Sequence, residues 1–346
     1  VEQGTLTIRA RTTDNAGNVA NTSVTVQIDN KPPTAPRIES TAGEGEWANQ
    51  KVQLTITPGT DDGSGVKETE IQVNGETKLT FNGAKNTYEI DKDDADANGQ
   101  VAVKAITKDN VGNSSEAVYT VKFDTVSPGA PTLAATLADG GNYPGNTWTK
   151  QNVTVHITDG SDQESGVAKS QYKFGAGGAW EDYPAAGLVI DREGQHEIYA
   201  STLDKAANRS QAAGPFIVKI DRTPPERPAI QAPSGWSSGD VRITLVAGAD
   251  PLGEVDRLIY RTKTGEADWT DWQEYDANAG IVISADGVTL VEAKTVDKAG
   301  NESNASQRTV RIDSPGESDL KNGNDHNGDV NLDNPGDTYG PYEGSD

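Results

Sequence analysis

The stretch ITKDNVGNSSEAVYTVKFD at residues 106–124 decides the fold. Apolar and polar residues alternate on both sides of its centre, as they do in β-strands with one buried face. Glycine and asparagine readily adopt the positive φ angles of a tight turn, so Gly112 and Asn113 predict the turn of a β-hairpin. We expect Asp109, which opens the turn, to accept backbone N–H bonds. The residues expected to face the core are Val101, Val103, Ala105, and Val118 or its neighbours on the return strand.

The same turn recurs along the chain. Its copies, DNAGN, DNVGN, DKAAN and DKAGN, open at Asp14, Asp109, Asp204 and Asp297, which lie 95, 95 and 93 residues apart. After each copy comes an alternating strand that ends in aspartate, at Asp29, Asp124, Asp221 and Asp313, and a proline-containing hinge follows. Early in each unit a tryptophan precedes another strand, at Trp47, Trp148 and Trp236. Landmarks that recur in one order at a fixed period are typical of a repeat protein.

A period of about 100 residues of short alternating strands is the size of one immunoglobulin-type sandwich. We therefore predict an all-β fold of tandem immunoglobulin-like β-sandwich domains. The predicted segments are 1–31 (the C-terminal strands of a truncated domain), 32–125, 126–222 and 223–314 (three complete domains, called here the first, second and third repeat), and 315–346 (an acidic Asp/Asn/Gly-rich tail or linker).

The hinges between these segments are short and rich in proline. Proline fixes φ and stiffens a connection, so we expect the domains to follow one another end to end in an elongated rod. Residues 1–31 hold only two strands, which cannot bury a core. We interpret them as the product of truncation, and the alternative is a strand pair donated to another chain.

The run Asp-x-Ala-Gly-Asn, a strand ending in Ile-Asp, and then Thr-Pro-Pro resembles the bacterial Ig-like repeats of Gram-positive cell-surface proteins. Such repeats occur in surface-layer (S-layer) proteins, in adhesin stalks and in large cell-wall enzymes. The resemblance covers residues 1–314, and Ala207 departs from it by replacing the turn glycine. The third repeat also has Gly-Glu-Val where the others have Ser-Gly-Val. The resemblance implies a domain type but no single function, although S-layer proteins are acidic, sulfur-poor and often calcium-dependent.

Composition narrows the functions further. The formal net charge is -23, from 53 acidic and 30 basic residues, which opposes binding to nucleic acids. The chain has no Cys and no Met, which excludes thiol catalysis and a disulfide scaffold and suits an extracellular location. No apolar run reaches the length of about 18 residues that a membrane-spanning helix needs. No catalytic motif is present, so we expect a protein that is not an enzyme.

Carboxylates are the one plentiful chemical resource, and they are the ligands that Ca²⁺ prefers. The candidate metal ligands are Asp61 and Asp62; Asp91, Asp93, Asp94, Asp96 and Asn98; Asp159, Asp162 and Glu164; and the hinge residues Asp124 and Asp221. The loop at 91–99 can equally be a solvated acidic loop, and a hinge aspartate can simply cap the last turn before proline. We interpret the aspartate that opens each hairpin turn as structural.

Aromatic residues cluster at two places. They are Trp180 and Tyr183, and Trp269, Trp272 and Tyr275. A planar aromatic row can stack on sugar rings, which would make these residues a glycan-binding platform. Their spacing uses alternate faces of a strand, so packing against a core or sheet edge is the other interpretation.

The leading hypothesis is a structural module of an extracellular bacterial surface protein, located at the cell surface or in the cell wall. It would act as spacer and lateral contact in an S-layer or cell-wall lattice, with structural Ca²⁺ as the candidate cofactor. The alternatives are an adhesin stalk that presents a distal binding head, and carbohydrate-binding accessory domains of a secreted polysaccharide enzyme. The expected partners are other copies of the same protein or cell-wall components, with glycans as further candidates.

Overall fold

Residues 3–314 are described by the structure, a computed structural model, and β-strands dominate them. Two strands precede the first repeat: β1 (Gly4–Thr13) and β2 (Val19–Ile28). The first repeat holds β3 (Arg37–Ser40), β4 (Trp47–Ala48), β5 (Val52–Thr57), β6 (Val66–Val73), β7 (Glu76–Phe81), β8 (Asn86–Ile90), a 3₁₀ turn (Lys92–Asp94), β9 (Gln100–Asp109) and β10 (Ser114–Phe123).

The remaining strands repeat this pattern. The second repeat holds β11 (Thr132–Leu137), β12 (Trp148–Thr149), β13 (Val153–Thr158), β14 (Val167–Phe174), β15 (Glu181–Asp182), β16 (Leu188–Ile190), β17 (Gly194–Asp204) and β18 (Ala213–Ile220). The third holds β19 (Ala229–Gln231), β20 (Trp236–Ser237), β21 (Val241–Val246), β22 (Val255–Thr264), β23 (Gln273–Glu274), β24 (Ile281–Ile283), β25 (Gly287–Asp297) and β26 (Ser306–Ile312). The prediction of tandem immunoglobulin-like all-β modules is confirmed.

The chain divides into two compact units. The first comprises the described part of Val1–Leu133 together with His156–Gly187 and Ile198–Pro215, and the second comprises Ala134–Val155, Leu188–Glu197 and the described part of Phe216–Asp346. The first repeat lies in the first unit and the third repeat in the second. The second repeat contributes to both, so the predicted domain boundaries stay a prediction. The predicted tail, 315–346, lies outside the described residues.

The first repeat is a sandwich of two sheets, with strand orders β3-β5-β8 and β4-β10-β9-β6-β7. In β5, Val52, Leu54 and Ile56 are buried while Gln53 is exposed, because successive side chains point to opposite faces. They join one core with the other sheet, whose buried members are Ile71, Val73, Val101, Val103, Ala105, Val121 and Phe123. Burying each large aliphatic side chain contributes about 1.5–3 kcal/mol.

The predicted core of this hairpin is right on its first strand and partly right on its second. Val101, Val103 and Ala105 are fully buried. Val118 is 62% exposed, because its register places it on the outer face of β10, and its neighbours Val121 and Phe123 face the core instead.

The third repeat has the same arrangement in the second unit. Its sheets have the orders β19-β21-β24 and β20-β26-β25-β22-β23. Their shared core contains Val241, Ile243, Leu245, Ile281, Ile283, Val291, Ala293, Val310 and Ile312. In the second repeat, β14 pairs with β15 and β17 in the first unit, and β12 pairs with β18 and β13 with β16 in the second unit.

The hairpin β1–β2 pairs in a continuous antiparallel register from Gly4 opposite Ile28 to Thr13 opposite Val19. Along this two-stranded sheet nearly every residue is exposed, including Ile8 and Val24. Within residues 3–314, no helix is long and apolar enough to cross a membrane.

Candidate metal centres

Three groups of aspartates recur at the ends of the hinges. The first triad is Asp29, Asp61 and Asp109; the second is Asp124, Asp162 and Asp204; and the third is Asp221, Asp250 and Asp297. Within each triad, one carboxylate oxygen per residue lies within 4.8 Å of the others. Each triad combines a hinge aspartate after one repeat's last strand with two aspartates of the next repeat, one in a loop (the loop aspartate) and one at the hairpin turn (the hairpin aspartate).

The hairpin aspartate is placed by strand alternation. In β9 the inward positions run from Val101 through Ala105 and Thr107 to Asp109, so the carboxylate ends a row of core-facing side chains and is 1% exposed. Oδ1 of Asp109 accepts hydrogen bonds from the backbone amides of the turn, and Oδ2 accepts from the side-chain amide of Asn113 at 2.7 Å. Burial raises the pKa of Asp109, but these hydrogen bonds outweigh it and leave the pKa lowered.

The loop aspartate is held by a threonine and a glycine. In the first repeat the hydroxyl of Thr107, fully buried, accepts a bond from the amide of Gly59 at 3.0 Å, just before Asp61. A Cβ at Gly59 would lie 1.7 Å from the carbonyl oxygen of Thr34 in the hinge, so only glycine allows this approach. The amide of Thr34 then bonds to the carbonyl of Thr60 at 2.8 Å. Hinge and loop are thereby tied together.

This tie recurs in the other two repeats. The amides of Gly160 and Gly248 bond at 3.0 Å to the hydroxyls of Thr202 and Thr295. A Cβ at Gly160 would lie 1.8 Å from the carbonyl oxygen of Gly129, and one at Gly248 would lie 2.1 Å from that of Glu226. Both carbonyls belong to proline hinges, so the same residue types fix each loop aspartate beside its hinge.

The hinge aspartate makes the third side of each triad. Oδ1 of Asp124 accepts the amide of Val126 at 2.8 Å, which closes the predicted turn before proline, and Oδ2 accepts the amide of Ser165 at 3.0 Å. The backbone carbonyl of Asp124 accepts the side-chain amide of Asn208 at 2.9 Å. The side-chain amide of Asn208 also donates to Oδ2 of Asp204 at 2.7 Å, so Asn208 links the hairpin turn to the hinge by hydrogen bonds.

In the third triad the hinge carboxylate is buried among like charges. Asp221 is fully buried, and burial together with the nearby charges of Asp250, Asp297 and Glu193 raises its pKa. Oδ2 of Asp221 and Oδ2 of Asp250 are both buried and have no hydrogen-bond partner within residues 3–314. A bound divalent cation would satisfy both oxygens and remove the repulsion, so these residues fit Ca²⁺.

No protein-family model matches the sequence, and no curated protein matches it. Among solved structures, the chain is similar to a 1.5-MDa bacterial ice-binding adhesin studied for host cell surface retention, at 13% identity over 83% of this chain and 100% of that chain, with a TM-score of 0.35. A Ca²⁺-stabilised ice-binding adhesin of an Antarctic bacterium is 16% identical over 90% of this chain and 82% of that chain, with a TM-score of 0.38. The fibronectin(III)-like modules of Clostridium thermocellum CbhA are 19% identical over 53% and 93%, with a TM-score of 0.33. Similarities of this size say nothing about ligands or function.

In the acidic loop at 91–99, carboxylate oxygens accept hydrogen bonds from backbone amides of the same segment. Asp91 caps the 3₁₀ turn through the amide of Asp93, and the side chain of Asp94 accepts the amide of Asp91. Oδ1 of Asp96 accepts the amides of Asn98 and Gln100, which lowers its pKa. Among the described residues, this loop contributes to none of the clusters of three or more carboxylates.

The remaining predicted ligands differ in their surroundings. Asp62 and Asp159 are exposed and join no triad in the described part of the chain, and Asp159 accepts a bond from the hydroxyl of Ser170. Glu164 is also exposed but lies beside the second triad. The pKa of Glu164 is raised by desolvation, by a side-chain hydrogen bond with Asp124, and by the charges of Asp124 and Asp162.

Cations cover the faces of the predicted aromatic platform. The guanidinium of Arg261 lies 4.6 Å from the ring centre of Trp269 and 4.7 Å from that of Trp272. The same guanidinium pairs with Glu292, 8% exposed, at 2.6 Å. Tyr275 packs on the core of the third repeat and its hydroxyl accepts the amide of Leu245 at 3.2 Å. This cluster therefore stabilises the sheet, and glycan binding by it stays a prediction.

In the other aromatic pair, Trp180 and Tyr183, cationic side chains also lie over the tryptophan ring. Arg209 and Lys173 lie 4.7 and 4.9 Å from the ring centre of Trp180. The amide of Tyr183 bonds to the carbonyl of Ser170 at 3.1 Å.

Two kinds of triad residue are not among the metal ligands predicted from the sequence. The sequence favours a structural role for the hairpin aspartates Asp109, Asp204 and Asp297, and Asp250 is absent from the predicted ligands. The sequence contains a signal for Asp250, because Asp61, Asp162 and Asp250 each lie five residues before a valine that aligns the repeats, at Val66, Val167 and Val255.

Proposed function

We propose that the chain is a non-catalytic stalk of an extracellular bacterial surface protein, whose hinges are fixed by Ca²⁺ ions bound at the three triads. One observation carries this proposal: at the hinges that follow Asp29, Asp124 and Asp221, a hinge carboxylate meets two carboxylates of the next repeat. A spacer has to hold each module in a fixed orientation relative to the next, and the hinge is the segment that sets this orientation.

The chemistry of the donors supports a hard divalent cation. Carboxylates within 4.8 Å of one another repel when ionised, and the chain gathers them in partly or fully buried positions three times. When bound, Ca²⁺ would supply the positive charge that makes this gathering favourable, and its 6–8 oxygen ligands allow water and backbone oxygens to complete the site. The cation would then link the hinge aspartate to the next repeat.

The partners and location follow from the same proposal. An acidic chain without cysteine or methionine suits the cell surface, and neighbouring copies, cell-wall components or glycans are the partners we propose. An S-layer lattice and an adhesin stalk are two forms of this role. Sedimentation velocity with Ca²⁺ separates them, because a lattice component assembles with increasing concentration while a stalk stays monomeric.

The experiment that tests the role of Ca²⁺ is thermal unfolding of the full chain in excess Ca²⁺ and in excess EGTA. A cation that binds only the folded state stabilises it by about 2.7 kcal/mol at a hundredfold excess over Kd. We therefore expect a higher unfolding midpoint in Ca²⁺. Mg²⁺ at equal concentration is the control and should have a smaller effect, because it dehydrates reluctantly and demands octahedral geometry. Equal midpoints in Ca²⁺ and EGTA would rule the proposal out.

A further inference from the structure

The three triads differ in how far the protein itself satisfies them, and we propose that the third triad is the tightest cation site of the chain and the one on which its cation dependence concentrates. This inference rests on the proposed function. It is motivated by the two buried carboxylate oxygens of Asp221 and Asp250 that lack a partner within residues 3–314.

The hinge carboxylates of the first two triads already have two backbone partners each. Oδ2 of Asp29 accepts the amide of Ser64 at 2.6 Å, and Oδ2 of Asp124 accepts the amide of Ser165 at 3.0 Å. Their Oδ1 atoms accept the amide two residues further along the hinge, at 3.2 and 2.8 Å. Hydrogen bonds to the ionised form compensate for its removal from water, so these carboxylates are tolerated without a cation.

The third hinge carboxylate has lost one of these bonds. Gly253 occupies the position of Ser64 and Ser165, but its amide donates to Oδ1 of Asp250 at 3.2 Å instead of to Asp221. The following residue, Glu254, replaces a glycine that has a positive φ in the other two loops. Asp221 consequently keeps a single amide contact, from Thr223 at 2.9 Å.

The two unsatisfied oxygens face the same small space. A Cβ built on Gly253 would lie 2.5 Å from Oδ2 of Asp221 and 3.2 Å from Oδ2 of Asp250. Asp297, 1% exposed, closes the group, and its own oxygens are bonded to the amides of Asn301 at 2.8 Å. Two negatively charged oxygens therefore converge in a space that a glycine leaves open, which is an arrangement that attracts a cation and repels an anion.

The unsatisfied groups at the other triads are weaker. The hydroxyl of Ser165 is buried without a hydrogen-bond partner within residues 3–314, but a neutral hydroxyl is less costly to bury than a carboxylate oxygen. The Ser64 side chain instead lowers the pKa of Asp29 by hydrogen bonding. Glu164 adds a fourth carboxylate beside the second triad and shares a hydrogen bond with Asp124, but Glu164 itself is exposed to water. Asp221, by contrast, is fully buried and out of contact with water.

The first arm of the test compares Asp221→Asn with the matched hinge variant Asp124→Asn in EGTA. An amide at 221 would donate to Oδ2 of Asp250 and remove a buried charge, so we expect its unfolding midpoint to rise above that of the wild type. An amide at 124 would meet the donating amide of Ser165, so its midpoint should fall. If Asp221→Asn lowers the midpoint as Asp124→Asn does, the third triad is not the conflicted site and the proposal is overturned.

The second arm is calorimetric titration of the full chain with Ca²⁺ for the wild type, Asp250→Asn and Asp162→Asn. We expect the tightest binding step to disappear in Asp250→Asn and to remain in Asp162→Asn. A tightest step that survives Asp250→Asn overturns this inference alone and leaves the proposed function standing. A wild-type chain that takes up no Ca²⁺ overturns both. Circular dichroism of each variant shows whether it has folded.

Discussion

At the scale of the residue, the hairpin turn at Ala207 holds a non-glycine residue at a positive φ, whereas the equivalent turns have glycine there. Ala207 has φ +68, whereas Gly112 and Gly300 hold the corresponding place in the other two repeats with φ +101 and +85. An L-residue with a side chain is disfavoured by about 1–2 kcal/mol in this region. We expect Ala207→Gly to raise the free energy of unfolding by about 1 kcal/mol, less the entropy that glycine adds to the unfolded chain.

Urea unfolding followed by tryptophan fluorescence measures this change. Gly112→Ala is the matched control, since a Cβ there meets no atom within 4 Å and the backbone alone resists it. It should destabilise by a similar amount. If Ala207→Gly is destabilising, the packing of the alanine methyl group contributes more to stability than its positive φ costs.

The sequence also predicts some residues of the triads better than others. The hinge residues Asp124 and Asp221 stand out because each ends a strand and precedes proline. The hairpin aspartates are visible in sequence as turn formers, and strand alternation alone implies that Asp109 faces inward. Their meeting is not predictable, because it depends on how the loop between β5 and β6 is brought beside a hinge some 30 residues earlier. Local spacing cannot give that distance.

At the scale of the element, the tie between hinge and loop depends on a glycine that sequence patterns do not single out. Gly248 approaches the hinge so closely that an alanine Cβ would lie 2.1 Å from the carbonyl oxygen of Glu226. The added Cβ would meet backbone atoms of the hinge, which cannot move aside as a flexible side chain can. We therefore expect Gly248→Ala to destabilise the protein by about 3 kcal/mol. It should also weaken Ca²⁺ binding, since the same loop carries Asp250.

Gly235 offers the matched control in the same repeat. It is exposed, and a Cβ there meets no atom within 4 Å, so Gly235→Ala should be close to neutral. Thermal unfolding of both variants, with and without Ca²⁺, checks the prediction. Equal stabilities for the two variants would show that the hinge yields to the extra atom and does not fix the loop.

At the scale of the whole molecule, the net charge of -23 acts together with the triads, and the two effects respond differently to salt. Repulsion among exposed carboxylates is screened when NaCl rises from about 0.1 M to about 1 M, because the Debye length falls from about 10 Å to about 3 Å. Charges held within 4.8 Å of one another in buried positions are screened far less.

We therefore expect NaCl to raise the unfolding midpoint of the full chain in EGTA, and the further rise produced by Ca²⁺ to persist at about 1 M NaCl. The measurement is differential scanning calorimetry at several NaCl concentrations with Ca²⁺ or EGTA. The variant Asp29→Asn, Asp124→Asn, Asp221→Asn, which keeps most of the surface charge but removes every hinge carboxylate of the triads, should respond to NaCl and not to Ca²⁺. If high salt abolishes the effect of Ca²⁺ in the wild type, the cation acts by screening the surface, and the hinges are stabilised by their hydrogen bonds alone.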